Sequence, residues 1–282
     1  RHIFLITSAS LDLVSARRFA SMSSGLLNKM LGVKLSDAFR YNVLFWRWLS
    51  LWPKENTNFL YTLSCVVHLG IFHIFYTIIL TINLIYAPRI IEVLLREVLF
   101  YFTEISLCFK IATILVKRSK ILKLFEMLDS ELFTSNDVAG EEIRKSSFKK
   151  YIFGWKTFTI TCHNSFIFQC IVPLFFYGIL GKQLNLPISN YFFLSDETRD
   201  KYIYMLFLYQ SIGIYLQMIF NINYDTFVWG ILYMASRQFD LLHYKILQIK
   251  ARIINEDKGT TDEETIMSKL KHCLKHYEHI LK

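Results

Sequence analysis

Apolar residues along this chain gather into four long blocks, roughly 58–86, 93–116, 151–180 and 203–235, with polar connections between them. A helix of about 20 residues crosses a hydrocarbon layer of ~30 Å, and every block is at least that long. Inside lipid each backbone amide must be satisfied within a helix or a closed barrel. Barrel strands would be alternating segments of about ten residues, a pattern the blocks do not follow. The pattern therefore predicts an all-α fold: a polytopic transmembrane helical bundle with helical extensions outside the membrane.

Shorter patterns fill the connections. Residues 37–53 predict a helix lying at the membrane surface. Phe39, Trp46, Trp48 and Trp52 supply the aromatic character of the headgroup level, Arg40 and Arg47 share a face seven residues apart, and Pro53 stops the helix. The turn at Ala87 and Pro88 is short, so the first two spans should be antiparallel neighbours. The third connection, 117–150, opens with a helical stripe of Ile121, Leu124, Phe125, Leu128 and Leu132 that continues span 2. Pro173 predicts a kink in span 3. The connection 181–202 reads as a polar and aromatic loop. Periodicity runs on past span 4 through Phe239, Leu242, Ile246 and Ile249, and 256–264 reads as an acidic loop. Residues 265–282 predict an amphipathic helix with Leu270, Leu274 and Tyr277 on its apolar side.

Charge orients this arrangement. The chain carries 32 Lys plus Arg against 23 Asp plus Glu, a formal net charge of +9. Of the 32 basic residues, 25 lie in 1–57, 117–150 and 236–282, and only four in 86–92 and 181–202. The positive-inside rule places the first three segments in the cytoplasm, so the N-terminus is inside and 181–202 outside. A domain organisation follows: a cytoplasmic segment 1–57, four spans with a cytoplasmic loop 117–150, and a cytoplasmic helical region 236–282. The basic excess is a topology signal with attraction to anionic membrane lipid, and nucleic acid is not an expected partner. The five cysteines form no CxxC pair and, with four of them inside spans, read as small hydrophobes. No N-x-Ser/Thr sequon occurs. The chain begins with Arg1, and Met22 or Met30 is a candidate start.

Candidate chemistry is sparse. GxGxxG, Walker A, GxSxG, HExxH and EF-hand patterns are all missing, so no enzyme, cofactor or metal is expected. His272, His276 and His279 share one helical face that could hold Zn²⁺, although a polar stripe explains them more simply. His68 and His73 are five residues apart and should diverge on an α-helix. Glu104 lies near mid-depth of span 2, where an unpaired charge is costly, so it and Lys110 should find partners on other helices. Asn221, Asn223 and Asp225 form a second polar cluster in span 4. Aromatic residues concentrate in the outer halves of spans 2 to 4, where they could line an apolar pocket for a small hydrophobic ligand.

Three stretches resemble the insect odorant receptor family. They are Trp46-Arg-Trp-Leu-Ser-Leu-Trp-Pro ahead of span 1, the Asp225-Thr-Phe-Val-Trp-Gly exit of span 4 running on to Gln238 and Asp240, and the helix 270–281. Their order and the N-inside topology agree over about 37–282. The resemblance implies a seven-helix, inverted-topology subunit of a ligand-gated cation channel in the plasma membrane of olfactory sensory neurons. It implies a small volatile odorant as ligand and a co-receptor subunit as partner in a hetero-tetramer. On that reading the sequence holds helices 1–4 of seven and is C-terminally incomplete, with 236–282 leading to helix 5. The implied ligand-binding residues are Phe100, Tyr101 and Thr103 in span 2, Phe168, Gln169 and Val172 in span 3, and Phe207 and Ser211 in span 4. A gustatory-type chemoreceptor channel, and less closely a small membrane transporter, are the alternative readings.

Overall fold

The structure is a computed structural model that describes residues 34–49, 51–52, 59–135, 137–181, 184–255 and 263–281. All regular structure among these residues is helical. A 3₁₀ turn, Leu35–Phe39, leads into α1 (Arg40–Trp48). Four helices follow that are long and apolar enough to cross a membrane: α2 (Phe59–Tyr86), α3 (Ile91–Leu128), α4 (Val138–Leu180) and, after the short α5 (Asp196–Lys201), α6 (Ile203–Asn255). The amphipathic α7 (Glu263–Leu281) closes the described chain. Three of the long helices run well beyond the apolar blocks, as the periodic stripes after spans 2 and 4 predict.

Helix ends follow local chemistry. α2 stops where Ala87 turns extended ahead of Pro88, whose ring disfavours the helical region for its predecessor. α4 stops at Gly181, which adopts the left-handed conformation at φ 60°, open to glycine without a Cβ penalty. Ser195 caps α5 by accepting the Thr198 N–H at 3.3 Å.

Two of the long helices each contain a single π-helical turn, Gly70–Ile74 in α2 and Ile167–Ile171 in α4. The second precedes Pro173, which has no N–H to return to the previous turn, so the widened turn is the local answer to the predicted kink. The first corrects a sequence expectation. A π turn brings residues five apart onto one side, and the His68 and His73 rings lie 6.0 Å apart instead of diverging.

The chain divides into two compact units, one of 39–123 with 150–233 and one of 1–38, 124–149 and 234–282. The first has an inverted polarity. Phe59, Phe109 and Phe168 are more than two-thirds exposed, while Asn83, Glu97, Glu104 and Gln210 are buried. Apolar outside and polar inside is the arrangement lipid requires. At one end of this unit Phe39, Trp46, Tyr151 and Phe227 pack as an aromatic core, with Trp46 and Phe227 centroids 4.9 Å apart. Gly230 makes room for it: a Cβ there would sit 2.3 Å from the Tyr151 ring and 2.7 Å from that of Phe39. Asn42 ties the core together, donating to Asn223 O (2.8 Å) and Thr226 Oγ1 (2.9 Å) and accepting from Tyr151 OH (2.9 Å). Trp46 and Trp52, expected at the headgroup level, are thus buried and stack on each other, whereas Trp48 is exposed. Pro53 lies outside the described residues.

In the second unit α7 packs through Cys273, beside Leu242 and Ile249 of α6, and through fully buried His276. Leu270, Leu274 and Tyr277, read as the apolar side of α7, are exposed instead. Ser36 N and Oγ both donate to the Asp129 carboxylate, at 3.1 and 2.6 Å. Buried Arg144 pairs with Glu141 at 3.1 Å, and burial raises the Glu141 pKa above its ordinary value.

Candidate functional site

The connection between α4 and α6 is folded into the bundle. Leu184, Leu186 and Ile188 alternate with polar or small-contact positions, so an extended segment turns all three to one side, and all three are buried. Leu184 and Leu186 pack with Tyr191 and Phe207. Ile188 packs with Tyr76 and Leu80 of α2, against which Phe100, Tyr101, Tyr209 and Ile214 also lie. Tyr191 sits in the left-handed region at φ 48°, a conformation that costs a bulky residue energy and persists only where its surroundings hold it.

A buried polar knot provides that hold. Asn83 of α2 donates to Glu97 of α3 (2.8 Å) and to Ser189 of the loop, and its Oδ1 accepts the Phe192 N–H (2.6 Å). Gln210 of α6 accepts from Ile188 N (3.0 Å) and Ser189 N (3.4 Å) and donates to Ser189 O (2.8 Å). Gln169 of α4 adds a donation to Pro187 O at 3.3 Å. Every long helix of this unit therefore touches the loop through a side chain.

One to three helical turns deeper, His73 Nδ1 lies 3.3 Å from Glu104 Oε1, with both residues buried. Phe220 meets the His73 ring edge-on at 4.8 Å. His73 Nε2, Glu104 Oε2, His68 Nε2 and the Tyr76 hydroxyl have no hydrogen-bond partner among the described residues. The π turn serves this region twice, since Tyr209 OH donates to the Ile71 carbonyl at 3.0 Å and Thr77 Oγ1 to the His73 carbonyl at 2.6 Å. Lys110 lies further along α3, donating to Asn221 (2.8 Å) and Asp225 (2.7 Å) of α6. Glu104 and Lys110 thus pair with other helices, as their six-residue spacing predicts.

The eight candidate ligand-binding residues are placed unequally. Phe100 and Tyr101 converge on the Tyr76 cluster and Phe207 on the Tyr191 cluster, while Gln169 holds the loop. Ser211 lies beside buried Cys170, its enclosed hydroxyl within reach of the thiol. Val172 is half-buried. Phe168 is 71% exposed, and exposed Thr103 donates to Leu99 O of its own helix (2.8 Å). Sequence reasoning passed over Asn83, Ser189 and Gln210. Their signal is a single amide inside an apolar run, joined to a loop whose apolar residues alternate.

Among the described residues no group of three or more His, Cys, Asp or Glu is arranged to hold a metal ion. His276 donates to or accepts from Gln238 at 3.1 Å and is enclosed, so it is not aligned with His272 and His279 for a shared ligand. Comparison with curated proteins gives no match. The sequence model of the 7tm Odorant receptor family matches residues 90–282, which takes in α3, α4, α6, α7 and the buried loop. That match covers more than half of the sequence, and it agrees with the four helices, among the described residues, that are long and apolar enough to cross a membrane and with the buried polar side chains inside them: the chain belongs to the odorant receptor family.

Proposed function

We propose that this chain is the ligand-recognising part of an odorant receptor subunit that binds small, mainly apolar volatiles and opens a cation channel together with a co-receptor. The observation that carries the reading is the family match over residues 90–282, which takes in Tyr101, Tyr191 and Phe207 of the aromatic layer that also holds Tyr76 of α2. On this reading the loop lies outside, the N-terminus and residues 236–282 lie in the cytoplasm, and the receptor resides in the plasma membrane of olfactory neurons. The charge asymmetry supports that orientation.

Ligand contact falls to Phe100, Tyr101, Thr103, Phe168, Gln169, Val172, Phe207 and Ser211. Phe168 and Thr103 take part only if another element of the assembled receptor covers them. A volatile burying a few hundred Å² gains ~25 cal/mol per Å² of apolar contact, which after the cost of association leaves affinities of about micromolar order. Selection would then rest on shape, with Gln169 and Ser211 as the polar contacts.

The test is a dose–response series for the receptor with its co-receptor in a heterologous cell, read as ligand-evoked cation current. Tyr101→Ala should move the half-maximal concentration of active volatiles by about tenfold, the equivalent of one large aromatic contact. Unchanged curves across the active panel would remove Tyr101 from the ligand wall.

A further inference from the structure

In the first unit α4 and α6 leave a slot of about 370 Å³ between them, lined by Gly154 and Phe158 of α4 and by Asp225, Thr226 and Trp229 of α6. That volume lies within the span of about 300–1,000 Å³ typical of small-molecule sites. The slot exists because residue 154 has no side chain: a Cβ there would sit 2.8 Å from the Trp229 indole. Trp229 is held in place by stacking on Tyr151 (centroids 5.6 Å apart) and on Tyr233 (5.4 Å). Phe158 and Trp229 are each nearly half exposed, so both rings are free to act as apolar walls.

One lining residue is charged. Lys110 of α3 donates to Asp225 Oδ1 at 2.7 Å, while Oδ2 has no partner among the described residues. The other polar group, Thr226 Oγ1, is already used: it donates to Ile222 O (2.6 Å) and accepts from Asn42 (2.9 Å). Asp225 lies further from the end of its apolar block, 203–235, than Trp229 does, and Phe158 further from the end of 151–180 than Gly154. The carboxylate therefore marks the deeper end of the slot, where an unmet acceptor is costly. A carboxylate only accepts, so what it lacks is a donor. Lys110 already balances its charge, and a second cation there would face the ammonium; a neutral O–H meets the need without that repulsion.

We propose that this slot binds a small apolar alcohol, its hydroxyl donating to Asp225 Oδ2 and its hydrocarbon lying along Trp229 and Phe158. A phospholipid or a sterol keeps its polar group at the membrane surface and its hydrocarbon inwards. The slot has the reverse order, which disfavours both. The site is separate from the candidate ligand wall, since Asp225 lies about 21 Å along α6 from Ser211 at 1.5 Å per residue. It does not depend on that wall being the odorant pocket.

The full chain purified into phosphatidylcholine nanodiscs tests the proposal by photolabelling with a diazirine analogue of octanol and mapping of the modified residues. Label should appear within Gly154–Phe158 or Asp225–Trp229. Octanol should displace it at about tenfold lower bilayer concentration than methyl heptyl ether, its isomer without an O–H, as expected for one hydrogen bond to a carboxylate. Equal displacement by the two isomers would leave only an apolar crevice and overturn the proposal. So would absence of label from these residues, the result expected if lipid or another helix covers the slot. Gly154→Ala, which sets a methyl against Trp229, should cut the labelling by about tenfold. Gly178→Ala on the same helix, where a Cβ meets open space, should change it by less than about twofold. Equal effects of the two substitutions would put the label outside the slot and refute the site. The comparison of isomers uses the unmodified chain and is independent of how either variant folds.

Discussion

The first unit buries two polar clusters only a few helical turns apart, and they are built on opposite plans. In the Asn83–Ser189–Gln210 knot both polar atoms of each amide are engaged, most of them at 2.6–3.0 Å. In the His73–Glu104 pair one contact at 3.3 Å joins two groups whose second atoms have no partner among the described residues. Amides with their valences filled fix one conformation, whereas a half-filled pair keeps capacity for a water or a ligand. The contrast separates the part of the bundle that holds the loop from the part able to respond.

The largest effect should come from breaking the knot. Asn83→Leu takes the acceptor from the Phe192 N–H and one donor each from the Glu97 carboxylate and the Ser189 hydroxyl, and should destabilise the purified chain by about 3–5 kcal/mol, roughly 1–3 for each lost buried contact. Thermal unfolding in detergent reads the loss, and hydrogen exchange should rise selectively over 184–194. If exchange there stays slow, Leu184, Leu186 and Ile188 alone hold the loop.

The pair should respond less and with a different additivity. Glu104→Leu alone leaves His73 without its contact and should cost about 1–3 kcal/mol. Adding His73→Leu should recover most of this, because replacing both partners by apolar groups removes the unmet desolvation as well. A double-mutant cycle measures the coupling, and strictly additive costs would show that the two side chains do not act as a pair.

His276 extends the comparison to the second unit at the smallest amplitude. It is another half-satisfied group, with Nε2 on Gln238 and Nδ1 without a partner among the described residues. Its folded pKa of about 4 lies below the ordinary value of 6.5, so between the two the unfolded chain binds the extra proton. Stability from this residue is therefore complete above pH about 6.5 and lost progressively as pH falls toward about 4. His276→Asn should flatten the pH dependence of α7 unfolding over that window, followed by an environment-sensitive label on α7. An unchanged slope would place the titration elsewhere.

Much of this molecule can be read from its residues, for reasons that differ by element. The four spans are legible because lipid selects composition over long stretches. The extensions of α3 and α6 are legible because Ile121, Leu124 and Leu128, and Leu242 and Ile249, keep helical period beyond the apolar blocks. The buried face of α7 was misread because Cys273 and His276 look less apolar than Leu270 and Leu274. The inward face is chosen by the neighbours, here Leu242, Ile249 and Gln238, and those are not adjacent in sequence. The knot escaped notice for a related reason: Asn83 and Gln210 each look like an isolated polar residue until the loop supplies the partner. Of the candidate ligand wall, what the residues convey is depth along each helix. Which side each residue takes depends on packing, which is why Phe100 and Tyr101 point into a cluster and Phe168 does not.

The π turn of α2 also governs how any mutational scan of that helix must be interpreted. Each residue of an α-helix advances about 100° around the axis, and a π turn inserts one residue without lengthening the chain's path by a full step. Residues 59–69 and 75–86 therefore belong to two helical wheels offset from one another. A single deletion within 70–74 would merge them, rotate one half of the span by about 100° against the other, and carry His68 away from His73. Insertion and deletion in this span are thus not equivalent perturbations. The helix already contains one insertion, and the chemistry at its centre depends on keeping it.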